Sequence, residues 1–188
     1  MDKILYWNTR GACGKSLFRN LKLVCHGPKP TLIILSETRM VDDRHLRVLG
    51  RLGFDSFRCI PNEGRSGGLA MIWKSSQVSI TVVEEDRQFF HLECKFPQVP
   101  IFYLTAIYAV PHSNLRAVLW ANIFRLAQGI SSPWCVLGDF NDIRSASERV
   151  GGGRANTSRI RWFQERINEA GLADMGSVGP SMTWKGPR

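Results

Sequence analysis

"CVLGDFNDI", residues 135–143, begins as an apolar strand, halts on a glycine, and then sets down Asp139, Phe140 and Asn141. Along an extended chain side chains alternate, so Asp139 and Asn141 are expected on one face, with Phe140 turned back into the protein. A carboxylate and an amide on one face can bind a hard cation, hold a water, or do both. Closing a turn is the plainer reading, because Asp and Asn are common turn residues. The rest of the chain decides.

Other short apolar runs finish in the same manner. "ILYWN" (4–8) ends in Asn8, "TLIILSE" (31–37) ends in Glu37, and "LTAIY" (104–108) ends in Tyr108. Each has a bland alternative: Asn8 opens the "NTRGA" turn, Glu37 pairs with Arg39 or Arg10, and the Tyr108 hydroxyl binds backbone in the core. It is their joint occurrence that points to a site. In layered α/β proteins functional groups gather where strands run out, and Mg²⁺ needs only one or two protein carboxylates.

"LAMIW" (69–73) reads as a further strand. "VSITVVEEDRQFFHLECKF" (78–96) reads as a hairpin with Glu84 to Arg87 as its polar turn. Amphipathic helices are predicted around Leu17, Leu21 and Val24, around Leu115, Leu119, Ile123 and Leu126, and around Ile160, Phe163, Ile167 and Ala170. Asn156 or Thr157 is placed to cap the last of these and Gly171 to end it, while Asp42 or Asp43 caps a shorter helix running to Leu49. The mixture of helical crossovers and tight turns predicts an α/β sandwich, two sheets inside and helices outside, as one domain over 1–188. "EGRSGG" (63–68) lacks the Gly-Lys-Ser/Thr ending of a phosphate loop and is read as a hairpin turn; "RVGGGRANTSR" (149–159) is read as a mobile loop.

The formal net charge of +9 favours an anionic partner, nucleic acid or phospholipid headgroups. Five cysteines without a Cys-x-x-Cys pair indicate reduced thiols rather than a disulfide framework or zinc knot. The start, "MDKILYWNTRG", is too short and too acidic for a secretion signal, and no stretch is long enough to span a bilayer. The expectation is an intracellular protein, nuclear or cytoplasmic, that is not secreted. The oligomeric state is left open.

"WNTRG", "LSETR", "GRSGGLAMIW", "IYAVP", "GDFND" and "GPSMTW" follow one another along essentially the whole chain. This series resembles the endonuclease/exonuclease/phosphatase superfamily, with its DNase I-like fold, and most of all the endonuclease domain of plant LINE-type non-LTR retrotransposons. The resemblance implies a four-layer sandwich and Mg²⁺-dependent hydrolysis of DNA phosphodiesters, with Mn²⁺ as a substitute. Glu37 would be the main metal ligand, supported by Asn8 and Asp139. Tyr108 would contact the scissile phosphate, Asp139 would orient or deprotonate the attacking water with Asn141 beside it, and Trp184 would lie near the site floor unless it is plain core.

Arg144, Arg149, Arg154 and Arg159, in a run continuing through Arg161 and Arg166, are opposed only by Glu148 and Glu165. Such a run is either a solvated face or a grip on the DNA backbone beside the Asp139 loop. Members of the family carry further segments beyond "TW", an Arg-Leu-Asp-like strand and a Ser-Asp-His triplet. This sequence ends at Arg188 without either. The resemblance therefore implies a domain incomplete at its C-terminus, lacking strands there, and an impaired site, since losing one transition-state donor costs about 10²–10³ in rate. His112, close behind Tyr108, is the one histidine placed to compensate. Two alternatives stay open: an inactive basic nucleic-acid-binding remnant, and a phosphodiesterase acting on inositol phosphate or phospholipid.

Overall fold

A computed structural model of the chain describes residues 3–11, 15–62, 67–151, 153 and 155–179. Among the described residues eight strands form two four-stranded sheets. The first holds β1 (Ile4–Asn8), β2 (Leu32–Ser36), β3 (Ser56–Ile60) and β4 (Leu69–Trp73) in the order β1-β2-β4-β3. The second holds β5 (Ser79–Asp86), β6 (Phe89–Lys95), β7 (Phe102–Tyr108) and β8 (Trp134–Asp139) in that order. Each sheet contains one parallel pair joined through a helix: α1 (Lys15–His26) links β1 to β2, and α3 (Ser113–Gly129) links β7 to β8. All other pairings are antiparallel.

Strand alternation sorts the apolar side chains into layers. Leu32 and Ile34 face the opposite sheet, where they meet Phe90, Leu92, Leu104 and Ala106. Their neighbours Ile33 and Leu35 face outward onto Leu17 and Leu21 of α1 and onto Leu46 and Leu49. Phe89 and Ile107 face outward from the second sheet onto Leu119, Trp120 and Ile123 of α3 and Phe163 of α4 (Thr157–Glu169). The result is helix, sheet, sheet, helix, because a strand buried on both faces needs cover on both. Leu46 lies in the short α2 (Arg44–Arg47), which continues as a 3₁₀ turn over Val48–Leu52. No helix among the described residues is long and apolar enough to cross a membrane.

Two details differ from the sequence reading. The hairpin turn falls at Arg87 and Gln88, and Glu84 and Glu85 lie within β5, whose register shifts by a bulge between Val82 and Glu84. Glu84 and Glu85 point to partners on other elements, Arg125 and Arg58, so acidic character did not mark a turn. Strand β3, "SFRCI", was not anticipated; its apolar content is too low, and pairing with β4 makes it a strand. The Arg58–Glu85 ion pair, at 2.6 Å, ties the outer edges β3 and β5 together. On the opposite side β1 and β8 are half-buried along their whole length. There the two sheets are joined by side chains: the Tyr6 hydroxyl donates to the Ile107 carbonyl at 2.7 Å.

Candidate active site

β1 and β2 are parallel, as are β7 and β8, and the bond from Asn8 to Asp139 shows that the carboxyl ends of both pairs lie at one end of the sandwich. Asn8 is level with Ser36, the residue before Glu37, and Tyr108 is level with Asp139. The four polar groups converge there. Nδ2 of Asn8 donates to Glu37 Oε1 at 2.9 Å and to Asp139 Oδ2 at 3.0 Å. The Tyr108 hydroxyl donates to the same Glu37 Oε1 at 3.3 Å, so neither bond to Glu37 uses Oε2. The second Asp139 oxygen, Oδ1, accepts from the Asn141 backbone N–H at 2.9 Å.

The glycine that interrupts "CVLGDFN" has a steric cause. A Cβ at Gly138 would fall 2.1 Å from the carbonyl oxygen of Ile107, its partner across β7 and β8. Only glycine lets the two backbones approach so closely just before Asp139. Gly68 serves the Glu37 segment similarly: its φ is +86° and a Cβ would fall 2.5 Å from Thr38 Oγ1. The Gly67 and Gly68 carbonyls accept from the N–H groups of Arg39 and Thr38. Among the described residues six non-glycine positions have positive φ, and four of them (Arg10, Glu37, Arg39 and Asn141) follow β1, β2 and β8 at this end. Left-handed non-glycine backbone is uncommon and is one of the features that cluster at functional sites.

Burial, followed by the charge of Glu37 and the bond to it, holds the Tyr108 phenol well above the ordinary tyrosine range. Tyr108 is therefore a neutral hydrogen-bond donor throughout the physiological range. Burial raises the Tyr6 phenol in the same way beneath the site. Cys94, in the core between the sheets, is pushed up to about 12 by burial and is an unreactive thiol.

Side-chain alternation does not extend past the end of the strand. β8 ends at Asp139, and Asn141 is left-handed (φ 50°). Its Nδ2 donates to the Ala109 carbonyl at 2.6 Å, so Asn141 pins the loop after β7 instead of sharing a face with Asp139. Phe140 does turn inward, packing on Trp120 and Phe163. The turn reading of this stretch is thus present, and the Asx turn at Asp139 is what orients its carboxylate.

Of the arginine run, Arg159 is bound to Asp142 and to the Asn141 carbonyl, and Arg144 pairs with Asp174 at 2.9 Å. Both side chains remain about half exposed. Arg149 is exposed. Arg154 and Trp184 lie outside the described residues, as do Gly152 of the glycine-rich loop and 63–66 of the β3–β4 connection. His112 is an exposed N-cap of α3 without a side-chain capping bond. Sequence reasoning passed over Gln88, whose buried amide donates to the Leu115 carbonyl at 2.9 Å and accepts from the Val110 N–H at 3.0 Å, behind Tyr108. It also passed over Asp142 and Arg116; a second acid directly after Asn141 was the available signal.

The fold is shared by solved structures of low sequence similarity. An AP endonuclease from Leishmania major superposes with a TM-score of 0.65 at 16% identity, covering 90% of this chain and 66% of that one. An AP endonuclease from Archaeoglobus fulgidus gives 0.62 at 14% identity, covering 89% and 70%. A 3'-5' exonuclease from Neisseria meningitidis gives 0.62 at 16% identity, covering 88% and 70%. The chain thus spans 66–70% of the length of these structures. No curated protein matches it significantly. The sequence model of one family matches residues 5–172, a span that runs from within β1 past α4 and takes in all four converging side chains, and on that match the chain belongs to the Endonuclease/Exonuclease/phosphatase family.

Proposed function

We propose that the chain is a divalent-metal-dependent phosphodiesterase acting on DNA, of the kind found in the endonuclease domain of LINE-type retrotransposons. The observation that carries this reading is the single Asn8 amide bridging Glu37 and Asp139, with the neutral Tyr108 phenol beside them. The net charge of +9 suits a polyanionic substrate. Two solved relatives of this fold are described with DNA: a Neisseria 3' phosphatase bound to a product DNA hairpin, and a zebrafish (D. rerio) TDP2 with single-stranded DNA product.

The donor set fits Mg²⁺ or Mn²⁺. Two half-buried carboxylates, Glu37 and Asp139, stand together across the Asn8 amide. A small hard cation accepts such sparse protein ligation and fills the rest with water and phosphate. Glu37 would hold it, with Asp139 and Asn8 in support; when bound, the ion supplies Lewis-acid stabilisation of the charge developing on the phosphoryl group. Asp139, held by Asn8 and by the Asn141 N–H, accepts the proton of an attacking water. Tyr108 donates to a phosphate oxygen. Asn8 fixes the two carboxylates relative to each other, so that neither has to reorient during the reaction.

The test is nicking of supercoiled plasmid in Mg²⁺ by the wild-type chain and by Glu37→Ala. The expected loss is about 10²–10³-fold, as for removal of one preorganised charge-stabilising group. Nicking that survives Glu37→Ala overturns the assignment. DNA binding that falls steeply with salt, without nicking by the wild type, would instead mark a binding protein that has lost its chemistry.

A further inference from the structure

Behind the site lies a charge cluster centred on a buried carboxylate. The Asp142 side chain is 1% exposed and that of Arg116, on the first turn of α3, is 6% exposed, with Nε and Oδ2 3.2 Å apart. The contact is an ion pair without hydrogen-bond alignment, and neither atom finds another partner among the described residues. Arg116 Nη1 donates to the Pro111 carbonyl at 2.7 Å. The other Asp142 oxygen takes the Nε of Arg159 from α4, whose Nη2 donates to the Asn141 carbonyl. Every tie leads to one of two loops: 109–112, directly after Tyr108, and 140–142, directly after Asp139.

These loops are bonded to each other as well. The Ala109 N–H donates to the Asp139 carbonyl at 2.8 Å, and Asn141 Nδ2 donates to the Ala109 carbonyl at 2.6 Å. Without the cluster the left-handed Asn141 would be held by those two bonds and by its own N–H to Asp139 Oδ1, all of them at the strand end itself. A buried carboxylate held between two guanidiniums has few alternative positions, because moving away leaves an uncompensated charge in the interior.

We propose that Asp142 and Arg116 are a positioning pair: they lock the loop after β8 to the loop after β7 and so set the placement of Asp139 relative to Tyr108. The proposal rests on the phosphodiesterase reading for its kinetic consequence, though not for its structural one. Neither residue reaches the reacting groups. A shift of Asp139 by about 1 Å is enough to cost about 10²-fold in a reaction that depends on alignment of water and phosphate.

The experiment combines kinetics with amide hydrogen exchange on the full chain, comparing wild type, the near-isosteric Asp142→Asn, and Arg116→Lys, which keeps the charge. In Asp142→Asn kcat for plasmid nicking should fall about 10–100-fold with KM within about threefold, while Arg116→Lys loses less. Exchange of the Ala109 and Asn141 amides should rise at least about tenfold in Asp142→Asn, with the Ile34 and Leu104 amides of the core strands unchanged. If the wild type does not nick DNA, the nuclease reading fails and the exchange result still decides the positioning role. Unchanged exchange at Ala109 and Asn141, or a rise shared equally by Ile34 and Leu104, overturns the proposal. If Asp142→Asn does not fold, the same two comparisons in Arg116→Lys stand in its place.

Discussion

Glu37 Oε1 and Asp139 Oδ2, from different sheets, accept hydrogen bonds from one nitrogen atom, Nδ2 of Asn8, at 2.9 and 3.0 Å. The amide stands between two carboxylates and keeps them near each other without a net charge of its own. Asn8→Ala should therefore leave the two acids facing each other unbridged. We expect nicking to fall about 10²-fold and Mn²⁺ affinity, followed by electron paramagnetic resonance, to weaken. Stability should change by only about 1 kcal/mol, since the lost bonds are part-exposed. A loss of fold in Asn8→Ala would assign the amide to stability.

Gly138 is fixed by the Ile107 carbonyl, which a Cβ would meet at 2.1 Å. Gly138→Ala should displace β8 from β7 and cost about 3 kcal/mol, the upper range for overpacking. Urea unfolding checks this. A midpoint within error of wild type would mean that the strands separate easily at this point.

Tyr108 has its phenol raised by burial and by Glu37, and Tyr6 is raised chiefly by burial. For an acid whose folded pKa is raised, the stability contribution is complete below the unfolded value near 10 and is lost as pH climbs past it. Wild type should lose stability more steeply than Tyr108→Phe between about pH 10 and pH 11. Through neutral pH the Tyr108 phenol is uncharged, so Tyr108→Phe should lower nicking without moving the pH profile; a profile shifted near pH 7 would contradict that state.

His91 is buried on the helix-facing side of the second sheet, stacked on Tyr103. Trp134 Nε1 donates to Thr105 Oγ1 at 2.8 Å, and His91 Nδ1 lies 2.8 Å from the same hydroxyl. The hydroxyl accepts from the indole and shares a second hydrogen bond with Nδ1, whose direction follows the imidazole tautomer. Burial lowers His91, opposed by Glu84 and assisted by Arg125. The lowered pKa means full stability above about pH 6.5 and loss as pH falls through the folded value. His91→Phe, which keeps the stacking, should abolish that part of the acid destabilisation in urea titrations at pH 7 and pH 5; an identical pH dependence in both proteins would refute it.

Trp120 stands at the centre of the outer core of the second sheet, in ring contact with Phe124, Phe140, Trp162 and Phe163. Trp120→Ala should cost about 3–5 kcal/mol by thermal or urea denaturation. Because Phe140 lies between Asp139 and Asn141, the cavity should also loosen the site loop. A cost below about 1 kcal/mol would show that the cluster collapses freely.

Much of the fold was legible because burial writes itself into strand periodicity. Seven of the eight strands correspond to apolar runs visible in the sequence, and the unseen β3 has only Phe57, Cys59 and Ile60 to announce it. The helices showed their apolar stripes, and Asn156 caps α4 by accepting from the Arg159 N–H at 3.0 Å. The β5–β6 turn was misplaced because Glu84 and Glu85 are strand residues whose charges are met by Arg125 and Arg58, distant in sequence.

The sequence alone determined which residue types stand at the ends of strands: Asn8, Glu37, Tyr108 and Asp139 each close an apolar run, and it is their recurrence at comparable strand ends that singles them out. Tertiary structure decided that these ends share one place, because two parallel pairs in separate sheets bring their carboxyl ends together and one Asn8 amide reaches both acids. It also decided what Asn141, Arg159, Asp142 and Arg116 do. Their partners are backbone carbonyls and charges on other elements, and no pattern of neighbours along the chain encodes a contact made only when distant loops are packed against one another.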